Sequence, residues 1–306
     1  MAKRTGILGV LGKAYRNFTI RVFGNTVELR VNLLYTFYVW LVNLANLFGL
    51  GDKPRVSDAG RKDAATIHAK GFTKLLSVLP DADVKSISSK VDQLFAQPDK
   101  TVMTLEEGGL LRLKSCLLEV PELERYILDP RVKDVLQGYF GCAYKVYSCD
   151  VYRTVPQAHE NPEEKFGSLK WHFDNCPKAL LKIMVYLTDT NVDNGALTLV
   201  GKEKSVELKH RGFWDRDEAH LYANEIEGNS LPLEAPAGTV LMFSVHHCIH
   251  KATLPRVRHR DVAVFLVQPA LAQQQAFTAE ERREFSNNYG YCVNPFLGTP
   301  LRYGNE

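Results

Sequence analysis

Two side chains able to share one metal ion stand together in the segment GSLKWHFDNCP, at His172 and Asp174. Residues two apart on an extended strand point to the same side, so one short segment offers an imidazole and a carboxylate to the same ion. The pattern HxD arises easily by chance in a chain with nine histidines, and it recurs at His259-Arg260-Asp261. The downstream sequence separates the two pairs. Asp174 is succeeded 76 residues later by His250, just after the strand-like run GTVLMFSV, whereas no histidine lies beyond the second pair. Two histidines and one carboxylate form the facial triad that leaves open positions on a non-haem Fe(II), as O2 activation beside a chelating cosubstrate requires. A carboxylate as third ligand also leaves no vacancy for chloride, which favours hydroxylation over halogenation. The run HHCIH contains His246 and His247 as well. Alternation would put His246, Cys248 and His250 on one face and His247 on the other, so His247 is the competing third ligand.

A cosubstrate anchor lies ten residues beyond His250, at Arg260. A strand out, a turn at Pro255 and a strand back return Arg260 toward the metal, where a buried guanidinium can grip the distal carboxylate of 2-oxoglutarate bidentately. Arg258 shares its face and Arg256 lies beyond, so RVRHR reads otherwise as a solvated edge or an anion patch. On the strand covering 180–188, Lys182, Met184 and Tyr186 share one face. Lys182 and Tyr186 are candidates for the cosubstrate pocket, against a core tyrosine and a solvated lysine stem. Trp171 is expected to pack beneath the site.

These residues need a rigid wall. From Ala143 onward the chain is a series of β-rich runs, AYKVYSCDVYRTV, ALLKIMVYLTDT, GALTLVG, GTVLMFSV and DVAVFLVQ, with turns at Asn194-Gly195 and Pro236-Ala237-Gly238. Strands without intervening helices argue for an antiparallel sandwich or barrel. Before them, DADVKSISSKVDQLF spaces Val84, Ile87, Val91 and Leu94 as one helix face, with Asp81 or Asp83 as its cap. A second helical stretch spans 118–139 and breaks near Pro130; after 271 a polar tail begins with the helical FTAEERREF. The expected class is α+β, a barrel braced by helices with an N-terminal helical extension.

The chain is long enough for a sizeable core, and its net charge of +3 is too small to argue for nucleic acid. The charge is unevenly placed. Residues 1–30 hold Lys3, Arg4, Lys13, Arg16, Arg21 and Arg30 against Glu28 alone, which favours contact with an anionic surface. The uncharged run VNLLYTFYVWLVNLANLFGL at 31–50 is long enough for a bilayer, but three asparagines lower its apolar content. A span would also place the remainder of the chain outside the cell by the positive-inside rule, away from cytosolic 2-oxoglutarate and reduced iron. A helix on the membrane surface or packed on the protein is preferred, and no small-residue cleavage site marks a secretory signal. Residues 51–63 read as a linker, which divides the chain into an extension at 1–63 and an oxygenase domain at 64–306. Cys116, Cys142, Cys149, Cys176, Cys248 and Cys292 form no CxxC pair and read as free thiols in the cytoplasm, with Cys176 and Cys248 beside the proposed ligands.

The chain resembles the phytanoyl-CoA dioxygenase family of Fe(II)/2-oxoglutarate oxygenases over residues 66–268. The motifs are Gly71-Phe72 before the helix at Asp81-Ala82-Asp83-Val84, then WHFD, VYLTDTNVDNGALTLV at 185–200, AGTVLMF at 237–243, His250 and Arg260. The resemblance implies a double-stranded β-helix, a jelly-roll or cupin-like barrel. It implies that His172, Asp174 and His250 are iron ligands, that Arg260 anchors 2-oxoglutarate, and that O2 is the oxidant. Two departures fall on cosubstrate and substrate contacts. VGKEKS at 200–205 stands where the family usually carries a PGSH-like segment, and Ala252 stands where a serine often follows the distal histidine. The expected substrate is organic, small-molecule or lipid-linked. A membrane-borne acyl chain or lipid-linked sugar fits the apolar extension, and a soluble biosynthetic intermediate is the alternative. Rival readings are a non-catalytic cupin-like metal protein, which would ignore 2-oxoglutarate, and a membrane-anchored interaction protein, which would not bind iron tightly. A zinc hydrolase lacks its HExxH-like helix.

Overall fold

The computed structural model describes residues 27–103, 110–156, 167–174, 176–177, 179–214, 216–287 and 294–296, together with 15, 18–20 and 22–23. Helices α1 (Leu29–Leu47) and α2 (Asp58–Lys70) lead to strand β1 (Phe72–Leu75), helix α3 (Asp81–Phe95) and strands β2 (Thr101–Met103) and β3 (Leu110–Leu113). Helices α4 (Cys116–Glu119), α5 (Glu124–Leu128) and α6 (Pro130–Phe140) precede β4 (Ala143–Thr154), β5 (Leu181–Tyr186) and β6 (Thr198–Val200). Then come α7 (Lys202–His210), α8 (Ala223–Gly228), β7 (Ser230–Pro232), β8 (Val240–Phe243), β9 (His250–Lys251), β10 (Arg260–Ala270) and α9 (Ala279–Asn287).

The strands form two antiparallel sheets, a large one ordered β1-β8-β5-β10-β4-β3-β2 and a small one ordered β7-β6-β9. Alternation along β5 sorts its side chains between two cores. Leu181, Ile183 and Val185 face outward and pack with Ala263, Phe265 and Val267 against Val84, Ile87 and Val91 of α3 and Val132 and Val135 of α6. Met184 and Tyr186 face inward with Val262 and meet Leu199 of the small sheet and Leu197 just before it. Two sheets closing on an apolar interior, braced outside by helices, make the α+β jelly roll expected from the strand pattern.

The helices follow their sequence signals, with some shifts. α3 buries Val84, Ile87, Val91 and Leu94 as one stripe. Its cap is Pro80, without a side-chain bond; Asp81 and Asp83 instead fill the first turn, where negative charge suits the exposed N–H groups. Asp83 also accepts from Arg125 Nη2 at 2.6 Å. α2 begins at Asp58, inside the stretch read as a linker, because Ser57 Oγ accepts from Gly60 N at 3.1 Å. α6 starts at Pro130 with Asp129 capping Arg131 N at 2.9 Å. The tail helix forms as expected, and the C-terminal end beyond it, Cys292 included, lies largely outside the described residues.

α1 is packed on the protein. Val31 and Tyr35 meet Tyr147 and Leu180, next to Cys176 and Leu266, and Tyr38 Oη donates to Pro269 O at 2.9 Å. Its other side leaves Leu33, Phe37, Trp40 and Leu47 more than half exposed. Among the described residues no helix is long and apolar enough to cross a membrane.

Candidate metal centre

The site is built where the small sheet meets the chain leading into β5. His172 N donates to His250 O and His250 N donates to His172 O, both at 3.0 Å, so the two backbones are clamped face to face. Asp174 N donates to Val245 O at 3.2 Å and ties the segment to the chain just past the end of β8. The imidazole centroids of His172 and His250 lie 4.5 Å apart. Asp174 Oδ1 is 3.3 Å from His172 Nε2 and 3.4 Å from His250 Nε2. The three ligand atoms lie within 4.8 Å of one another, a set that can hold a metal ion.

Both rings are oriented by backbone carbonyls. His172 Nδ1 lies 2.7 Å from Lys170 O and His250 Nδ1 lies 3.0 Å from Cys248 O. A carbonyl only accepts, so each Nδ1 carries the proton and each Nε2 turns its lone pair toward the other ligand atoms. Burial, followed by the charge of His250, pushes His172 down to about 4, which keeps its imidazole neutral near pH 7. Burial alone would raise the Asp174 carboxyl. The Lys182 and His250 charges and the imidazole hydrogen bonds together outweigh it and hold Asp174 well below the usual carboxylate range. A neutral imidazole at His172 and an ionised carboxylate at Asp174 are states a divalent ion needs.

The competing ligands go elsewhere. Strict alternation fails across HHCIH because the chain turns, with His247 N and Cys248 N both donating to Ser244 O at 3.1 and 3.0 Å. His247 Nδ1 meets Ser244 Oγ at 2.8 Å, and buried His246 turns Nε2 toward Cys176 Sγ at 3.6 Å. Cys248, two residues before His250, packs on Gly71. There φ is +90°, and a Cβ would lie 2.1 Å from the Cys248 sulfur. The GF segment is therefore glycine both for its left-handed backbone and for this close approach.

Arg260 opens β10 on the inward-facing row that continues through Val262 and Val264. It is 4% exposed. Nη1 donates to Gly195 O, Nη2 donates to Thr154 Oγ1 at 3.2 Å, and buried Nε has no partner. Gly195, with φ +79°, presents that carbonyl from the Asn194-Gly195 turn. Among the described residues no carboxylate pairs with Arg260. A buried guanidinium with a free donor and no counter-ion fits an incoming carboxylate such as that of 2-oxoglutarate. Arg256 and Arg258 are exposed, and Arg258 reaches Asp189 at 3.8 Å.

Lys182, read from the sequence as a cosubstrate contact, donates from Nζ to Asp174 Oδ2. Tyr186 is buried; its hydroxyl donates to Leu233 O at 2.9 Å and accepts from Leu197 N at 3.1 Å, while Arg260 acts on it electrostatically. Trp171 packs with Phe213 and Ile249, and its Nε1 donates to Glu227 Oε1 at 2.9 Å. Sequence reasoning missed Ser205, in the segment that departs from the family pattern. Its buried hydroxyl donates to Val200 O at 2.9 Å and accepts from Ile249 N at 3.0 Å, tying β6 to the residue before His250. The signal that was available is a serine one turn into α7, where its side chain can return to the preceding strand.

A jelly roll carrying two histidines and a carboxylate on one wall is the framework of a non-haem metalloenzyme. The chain belongs to the phytanoyl-CoA dioxygenase family, which matches residues 67–254. As a member of that family it is an oxidoreductase of the Fe(II)/2-oxoglutarate-dependent class, which uses Fe(II), 2-oxoglutarate and O2. Among solved structures, SnoN, a non-heme alpha ketoglutarate dependent epimerase from nogalamycin biosynthesis, superposes with a TM-score of 0.55 at 17% identity, covering 80% of this chain and 93% of its own. The carbocyclase SnoK from the same biosynthesis gives a TM-score of 0.52 at 15% identity, over 71% of this chain and 88% of SnoK. EctD from S. alaskensis in its apoform gives 0.50 at 17% identity, over 75% and 85%. At these identities the likeness is one of fold. No curated protein sequence matches the chain.

Proposed function

We propose that this chain hydroxylates an organic substrate, using an Fe(II) ion held by His172, Asp174 and His250 and a 2-oxoglutarate anchored by Arg260, within an oxygenase domain spanning 64–306. The observation that carries the reading is the convergence of the three ligand atoms within 4.8 Å, with both rings already turned by carbonyls to offer Nε2. When bound, the iron and 2-oxoglutarate supply the oxidising chemistry: O2 and 2-oxoglutarate become succinate and CO2, with one oxygen atom left for the substrate. The chain's own residues prepare that event. Lys170 O and Cys248 O fix the imidazole tautomers, and Arg260 neutralises and orients the distal carboxylate. Phe243 stands edge-on to the His250 ring at 5.3 Å, and buried Trp171 and Phe173 wall the segment from water. The test is succinate formation with Fe(II), 2-oxoglutarate and O2. Asp174→Ala should abolish it and weaken metal binding by about 10- to 100-fold or more; full retention of succinate formation by this variant would remove the assignment.

The substrate is proposed to be membrane-borne, with the enzyme peripheral to an anionic lipid surface. α1 is apolar on both sides, and among the described residues one side is packed on the barrel while the other meets Phe296 and is largely exposed. That exposed side carries Leu33, Phe37 and Trp40, with Phe37 and Trp40 stacked at 5.9 Å. Aromatic rings with basic residues nearby in sequence suit a headgroup interface. The covered side packs beside Cys176, two residues from Asp174, so the apolar face flanks the site. Sedimentation with vesicles of anionic phospholipid tests this: Phe37→Ser with Trp40→Ser should release the protein, and removal of residues 1–50 should release it completely. A truncated protein that sediments like the full chain would leave the soluble biosynthetic intermediate as substrate.

A further inference from the structure

We propose that Lys182 is a positioning residue for the metal centre: its ammonium holds the second oxygen of Asp174, so that this carboxylate gives the ion one oxygen and leaves the remaining positions to the cosubstrate. The inference rests on the iron reading above and concerns how that site is kept open. The two oxygens of Asp174 face different partners. Oδ1 looks at the two imidazole Nε2 atoms at 3.3 and 3.4 Å, while Oδ2 accepts from Lys182 Nζ. A carboxylate left free beside a divalent ion can turn and chelate it with both oxygens, which would consume a position needed elsewhere. An ammonium on the outer oxygen prevents that turn.

The lysine is itself held in place. It lies in β5 between Phe243 of β8 and Leu266 of β10, with its Nζ 5.8 Å from the Phe243 ring centroid. Its side chain is 19% exposed, so the pair with Asp174 is shielded from much of the solvent screening that makes surface pairs negligible. Lys182 does not share the Arg260 task. Its partner on β10 is Leu266, six residues from Arg260, which puts the two backbones about 20 Å apart along the strand. Each cation therefore serves a different carboxylate, Lys182 that of the protein and Arg260 that of the cosubstrate.

Two consequences separate this role from a packing role. The ammonium repels a dication and competes with it for Asp174, so Lys182→Met should bind Co(II) more tightly, on the order of tenfold. The same variant should show an altered Co(II) absorption spectrum, because Asp174 then takes a second position, and 2-oxoglutarate should perturb that spectrum less than in the wild type. Lys182→Gln keeps a donor without charge; it should tighten Co(II) binding while retaining the wild-type spectrum. Lys182→Arg should restore both. These are equilibrium titrations without O2, independent of turnover. Weaker or unchanged Co(II) binding by both neutral variants, or a wild-type response of Lys182→Met to 2-oxoglutarate, overturns the proposal. Co(II) binding left unchanged by His172→Ala overturns the iron reading instead, which keeps the two failures apart.

Discussion

Replacing Arg260 by methionine isolates what the buried guanidinium is for. In the ligand-free chain burial pushes its pKa down, with Tyr186 and Asp261 opposing that effect, and among the described residues no carboxylate pairs with it. An isolated buried charge costs several kcal/mol even after relaxation, whereas the two acceptors that Arg260→Met would strand, Gly195 O and Thr154 Oγ1, cost about 1 kcal/mol each. The net expectation is a ligand-free protein more stable by about 1–3 kcal/mol, a rise in Tm of about 2–5 °C for a chain of this length. The cosubstrate should respond in the opposite sense. Two charge-assisted bonds to a carboxylate, at about 1.5–3 kcal/mol each, correspond to a loss in 2-oxoglutarate affinity of about 100- to 10,000-fold. Calorimetric titration of 2-oxoglutarate into Co(II)-loaded protein without O2, with thermal unfolding of the ligand-free form alongside, reads both numbers. Metal affinity should not change. A variant that loses stability and keeps its 2-oxoglutarate affinity would show that Arg260 merely props the Gly195 turn, and the anchoring argument would fall.

The ligand-free protein should lose stability on mild acidification. His172 is held down to about 4 and His246 to about 3, each with burial as the leading cause, so below pH 6.5 the unfolded chain takes up protons that the folded one refuses. Stability from these groups is fully present above 6.5 and falls through the window toward 4, by about 2 kcal/mol per histidine at pH 5. Urea midpoints at pH 7 and pH 5 measure it, and equal midpoints would contradict the burial argument. Gly71→Ala should cost at least about 2 kcal/mol, from left-handed backbone strain and the approach to Cys248. Because Cys248 precedes His250 by two residues, the same variant should also weaken Co(II) binding; unchanged binding would separate that contact from the site.

Much of the barrel is legible in the sequence because strand alternation is a local code: Leu181, Ile183 and Val185 against Lys182, Met184 and Tyr186 already sort into two faces before any partner is known. The ligand pair at 172 and 174 is local for the same reason. HHCIH resists such reading because alternation presumes extended backbone, and the turn closed on Ser244 O sends His246 and His250 to different surroundings. Short strands such as β1 and β2 are equally opaque. Four residues or fewer carry too little pattern, and β1 is defined by its pairing with β8, far away in the chain. The role of Ser205 depends on a helix folding back over β6, a tertiary event with no periodic signature.

The two HxD segments show why composition alone could not choose the site. Asp92, His259 and Asp261 converge almost as closely as the triad does, within the same 4.8 Å limit. Yet Arg153 Nη2 donates to Asp92 Oδ1 and to Asp261 Oδ2, each at 2.7 Å, and Arg153 Nε donates to Asp261 Oδ1 at 2.8 Å. A guanidinium already stands where a cation would, and its bidentate grip on Asp261 satisfies that carboxylate. At 172 and 174, among the described residues, Lys182 takes only the outer oxygen of Asp174 and leaves Oδ1 to the imidazoles. The difference is thus one of occupancy of the carboxylates, and it assigns the second cluster to holding β10 against β4 and α3. Arg153→Gln should therefore lower stability without weakening Co(II) binding at the triad, since Arg153 bonds to the carboxylates of the second cluster and not to those of the first.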